Sequence, residues 1–69
     1  PIVEGAHPME RGDQVIAVQD ISTGFFGSVR KGTTGVIVAV KGFFTTRYDV
    51  AFEDGQTVED VNESAIRRI

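Results

Sequence analysis

TTRYDVAFEDGQTVEDV, residues 45 to 61, is the stretch on which the fold turns. Tyr48, Val50 and Phe52 alternate with Arg47, Asp49, Ala51 and Glu53. A period of two puts one set on a buried face and the other in solvent, so TTRYDVAFE reads as a half-buried strand. Asp54-Gly55 follows it. That dipeptide predicts a two-residue primed turn, because such a turn needs positive φ and Asp-Gly supplies it. QTVEDV, residues 56 to 61, is then the returning strand. Gly55→Val is expected to disturb the turn and its register, which a lowered urea midpoint would show.

Outward from this hairpin the pattern stays short-stranded. GVIVAV, residues 35 to 40, is a continuous apolar run and predicts a strand buried on both faces. Gly32 and Gly35 flank its start, where positive φ or close backbone approach is needed. KGFFTT turns the chain between this strand and the next. QVIAVQ, residues 14 to 19, is β-branched and predicts the first strand. Between them DISTGFFGSVRKGTT, residues 20 to 34, is rich in Gly, Ser and Thr and reads as one long loop. On the C-terminal side NESA, residues 62 to 65, begins with a good cap, Asn62, and has room for one 3₁₀ turn. IRRI is the last strand. PIVEGAHPMERG, residues 1 to 12, holds both prolines and no sustained period, which predicts a flexible or loosely docked arm before a folded domain at 13–69.

Sixty-nine residues make one small domain, and 41% apolar residues suit a folded globule. The chain has no cysteine and one histidine, His7 in the arm, so neither a thiolate metal site nor a Ser-His-Asp set can be assembled. No cofactor is expected. The net charge of -3 argues against nucleic-acid binding by bulk charge. No apolar run nears the ~18 residues of a membrane span, and no charged-then-apolar leader is seen. A cytoplasmic protein is expected.

Taken in order, five strands, a long first loop, two tight hairpins and a 3₁₀ turn before the last strand predict an all-β, five-stranded barrel. Gly12-Asp13-x-Val15, Gly32-x-x-Gly35-x-Ile37, Tyr48-x-Val50-x-Phe52-x-Asp54-Gly55 and Ile66-x-x-Ile69 occur in that order. The series resembles the SH3-like barrels, in particular their bacterial, phage and KOW- or Tudor-type versions, over residues 12 to 69. The resemblance implies a barrel whose first two loops lie side by side. It says little of function, since this barrel hosts many unrelated activities.

The candidate site follows from that implied adjacency. Phe25 and Phe26 sit in GFFGSVRKG, and Phe43 and Phe44 in KGFFTTR. With Arg30, Lys31, Lys41 and Arg47 they are expected to form one aromatic-basic rim, one Phe of each pair turned inward and the other outward. Exposed aromatics mark interaction surfaces, and aromatics among cations also suit base stacking. Glu53, Asp54, Glu59, Asp60 and Glu63 read as a solvated face, and Arg67 and Arg68 as ion-pair partners of Glu59, Asp60 or Glu63.

Three functions are expected from these features. The first is a non-catalytic protein- or peptide-binding or assembly module, with self-association as a rival use of the rim. The second is a nucleic-acid-binding module of KOW type. The third is a subunit of an oligomeric enzyme resembling the type II dihydrofolate reductases. Their pore motif would fall on Val58-Glu59-Asp60-Val61, which would line a pore with acid.

Overall fold

The computed structural model describes residues 9–23, 27–42 and 44–69. Among them lie β1 (Gln14–Ala17), β2 (Ile21–Ser22), β3 (Ser28–Val29), β4 (Thr34–Lys41), β5 (Arg47–Phe52) and β6 (Thr57–Asn62). A 3₁₀ turn (Glu63–Ala65) and β7 (Ile66–Arg68) follow. The domain is all-β. Its main sheet has the order β6-β5-β4-β1-β7, every neighbour antiparallel, and β2 and β3 form a separate two-stranded sheet.

Two expectations are corrected here. There are seven strands rather than five, and no closed barrel is found, because no described pairing joins β6 to β7. The extra strands lie inside the expected loop at 20–34. Ile21 opposes Val29 there, and both are buried. Two isolated apolar residues in polar sequence show no period, yet each has the core to dock on.

The β5–β6 hairpin behaves as its alternation predicts. Tyr48, Val50 and Phe52 are buried, and Arg47 and Glu53 are exposed. Its turn differs. Phe52 N–H donates to the Gln56 carbonyl (2.8 Å) and Gly55 N–H to the Phe52 carbonyl (3.1 Å), a three-residue loop. Gly55 alone takes the left-handed conformation, at φ 94°, whereas Asp54 does not. The reason is local: the Asp54 carboxylate accepts the Gln56 N–H (3.0 Å), an Asx turn that holds Asp54 at ordinary φ.

β4 departs from the expected two-sided burial. Gly35 and Ile37 are buried, but Val36 and Val38 are 38% and 42% exposed. The β4–β5 register shifts between Ile37 and Ala39, which leaves Val38 on a bulge. Gly35 is needed for close approach: a Cβ there would lie 2.7 Å from the Ala51 carbonyl oxygen and 3.0 Å from Phe52 Cα.

The core gathers Val15 and Ala17 from β1, Ile37 from β4, the β5 triplet, Val58 and Val61 from β6, and Ile66. Met9 joins it at 4% exposure, and Gly12 N–H donates to the Ile37 carbonyl (2.8 Å). Residues 9 to 12 of the expected arm are thus docked on the folded body; residues 1 to 8 lie outside the described ones. The 3₁₀ turn is capped as expected, with the Asn62 side-chain oxygen accepting the Ser64 N–H (2.9 Å).

Candidate functional site

The β4–β5 turn shows most clearly how local sequence presents a side chain. Lys41 and Arg47 oppose each other at the last register position of the two strands. Gly42 reverses the chain at φ 117°, where a Cβ would collide with the Thr45 carbonyl. Phe44 then projects fully into solvent, at 103% exposure. Phe43, like Phe25 and Phe26, lies outside the described residues.

The charge at this end is already balanced. Lys41 Nζ lies 3.1 Å from Asp49 Oδ1 and 3.4 Å from Asp60 Oδ1. Asp60 reaches this position through an irregularity in the β5–β6 register and a positive φ of 59°, with its N–H donating to Asp49 Oδ1 (3.1 Å). The hydrogen bond that Lys41 donates to Asp49, helped by a smaller one to Asp60 and partly offset by desolvation, raises the Lys41 pKa above its ordinary 10.5. Both carboxylates, Asp49 and Asp60, are thus paired with Lys41, and among the described residues no ion pair is formed by Arg47.

Arg30 and Lys31 are elsewhere. They precede β4, whereas Lys41 ends it, so the eight-residue strand separates the two basic pairs. Lys31 N–H donates to Asp20 Oδ1 (2.8 Å) in the β3–β4 turn. The flanks of residues 24–26 also lie away from Phe44. Thr23 N–H donates to the Gly27 carbonyl (3.4 Å), and Gln56 Nε2 donates to the Ser28 carbonyl (3.1 Å). That hairpin therefore sits by the β5–β6 turn, at the opposite end of β5 from Phe44. The described residues do not assemble the single rim expected from the sequence.

The remaining charged groups are dispersed. Arg68 Nη1 pairs with Asp13 Oδ2 (3.8 Å) rather than with Glu59, Asp60 or Glu63. Arg67 is exposed and has no ion pair among the described residues. Val58 and Val61 are buried, and Glu59 and Asp60 face solvent. Among the described residues no group of three or more acidic or histidine side chains could hold a metal ion. Nor is any described helix long and apolar enough to cross a membrane. Tyr48 is buried, and its hydroxyl makes no hydrogen bond of good geometry. Burial pushes its pKa above 10.0; the nearby Met9 backbone partly offsets this, and Glu63 and Asp13 add to it.

No protein-family model, curated protein or solved structure matches the chain. The site is therefore read from its own geometry.

One surface was not legible in the sequence. The outer face of the main sheet carries a shallow depression of about 180 Å³, lined in part by Gln14, Thr34, Val36, Ala51, Glu53 and Ile69. Thr34 Oγ1 donates to Glu53 Oε2 at its rim. The available signal was GVIVAV itself. Its apolar residues at alternate positions marked two apolar faces, but not that the described residues cover only one of them.

Proposed function

We propose that this domain is a non-catalytic binding module of SH3-like type that engages a protein or peptide through the β4–β5 turn. The observation that carries the reading is Phe44, a large aromatic side chain wholly in solvent on a turn held by a tight glycine. Buried aromatic anchors dominate interface energies, so an aromatic presented this way is a ready anchor. Arg47 beside it is exposed, has no ion pair among the described residues, and adds a donor for a carboxylate or a carbonyl. The element order supports the SH3-like assignment. A long excursion follows β1, β4-β5-β6 form a meander, and a 3₁₀ turn precedes a last strand that returns to pair with β1.

The nucleic-acid reading is weaker on this geometry. Lys41 is held by two carboxylates, and Arg30 and Lys31 lie at the far end of β4. A phosphate-tracking groove needs cations along one path.

Selection of a displayed random-peptide library on the domain tests the proposal. Enriched peptides should bind Phe44→Ser at least about 30-fold more weakly, the loss of one aromatic anchor. The variant's thermal melt should match the parent's, because the side chain touches no core. Failure to enrich any peptide, or equal binding by the variant, overturns the reading.

A further inference from the structure

The outer face of the main sheet has an order of residues that suits a second copy of itself. Glu53 N–H donates to the Thr34 carbonyl, Thr34 opposes Ile16, and Ile16 opposes Arg67. One row across the sheet therefore reads Glu53, Thr34, Ile16, Arg67, from the residue that follows β5 through β4 and β1 to β7. Its ends carry opposite charges. They stand three strand spacings apart, about 14 Å, too far to pair within one chain. The next row reads Ala51, Val36, Gln14, with Ile69 hydrogen-bonded beside Gln14. Val36 is 38% exposed and Ile69 68%.

We propose that this face is a two-fold symmetric homodimer interface. A two-fold axis parallel to the strands, midway between β4 and β1, exchanges β5 with β7. Sheet stacked on sheet then sets Glu53 against the partner's Arg67 and Arg67 against the partner's Glu53. The same operation brings the partner's Ile69 over Ala51, at the depression. Every contact occurs twice, as an isologous interface requires. Two apolar sheet faces pack about 10 Å apart, which a Glu–Arg pair at each rim spans. The Thr34 hydroxyl holds the Glu53 carboxylate over this face. The charge order selects a second copy over an unrelated apolar partner, since each end of the row is the complement of the other. It also accounts for a central strand whose outer valines the chain itself leaves in solvent.

Sedimentation equilibrium across a concentration series tests this with the whole chain. The parent should dimerise. E53R and R67E alone should each associate roughly tenfold more weakly, because each sets like charges against one another at both rims. An equimolar mixture of the two should recover a heterodimer, each new arginine facing a new glutamate. Thermal melts of both variants check that they are folded, and Val36→Asp, which puts a carboxylate in the apolar centre and leaves the Glu53–Arg67 pairs intact, should also weaken association. F44S should dimerise like the parent, which separates this surface from the β4–β5 turn. A parent that stays monomeric at millimolar concentration overturns the proposal. So does a dimer indifferent to charge reversal, or one abolished by F44S.

Discussion

The two faces of β4 carry similar residues and meet opposite fates. Ile37 points inward at 1% exposure, while Val36 and Val38, its neighbours on either side, point outward at 38% and 42%. Strand geometry forces the alternation, but it does not decide which side is covered. The inner side meets β1, β5 and the elements that close over them, including Met9, Ile21 and Val29. Among the described residues no element packs over the outer side, where Val36 and Val38 stay exposed. An apolar strand can therefore be half core and half surface, and the exposed half is free for an interface.

The contrast can be broken hardest from the inner side. Ile37→Ala should lower unfolding stability by about 2–5 kcal/mol in a urea melt, through lost burial and the cavity left behind. A loss below about 1 kcal/mol would mean that Ile37 is not packed as the core of this sheet. Gly35→Ala comes next. Its methyl would press on the Ala51 carbonyl and the Phe52 backbone, which lie 2.7 Å and 3.0 Å from the added Cβ. About 1–3 kcal/mol of destabilisation is expected, read by thermal melting. An unchanged melt would show that β4 and β5 separate at no cost.

Tyr48→Phe sharpens the account of the inner face. The buried hydroxyl has no good partner, so its removal should leave neutral-pH stability unchanged or raise it by up to about 1 kcal/mol. The pH dependence has a definite sign. A folded-state pKa above 10.0 means the folded chain keeps the phenolic proton longer than the unfolded chain does. This contribution is fully present below about pH 10 and is lost as pH rises through the folded value. Lys41, also raised, acts in the same direction from the surface. Tyr48→Phe should make the alkaline loss shallower, and identical profiles for variant and parent would refute the assignment. The smallest effect belongs to the outer face. Val38→Thr should change stability by no more than about 0.5 kcal/mol in dilute solution, because it keeps the β-branched shape on an exposed bulge. A larger loss would place Val38 in the core after all.

What could be read directly came from signals that act over a few residues. The alternation of Tyr48, Val50 and Phe52, the Asn62 cap and the reversal at Gly55 each depend on neighbours within one turn or one strand. The two-residue turn was misread for an equally local reason: Asp54 spends its carboxylate on the Gln56 N–H rather than adopting positive φ. The placement of the basic residues expected in one aromatic-basic rim is decided on a longer scale. Arg30 and Lys31 are close to Lys41 in sequence, yet a full strand holds them apart.

The sequence by itself determined an all-β domain, the positions of its five main-sheet strands and the glycine reversal at Gly55, because backbone sterics and period-two patterning are written locally. Only the tertiary structure decided that Ile21–Ser22 pairs with Ser28–Val29, that Lys41 is claimed by Asp49 and Asp60, and that Val36 and Val38 of GVIVAV are exposed. These depend on what stands across the sheet, from residues far along the chain, and no local pattern records which of two equal faces the remaining side chains reach.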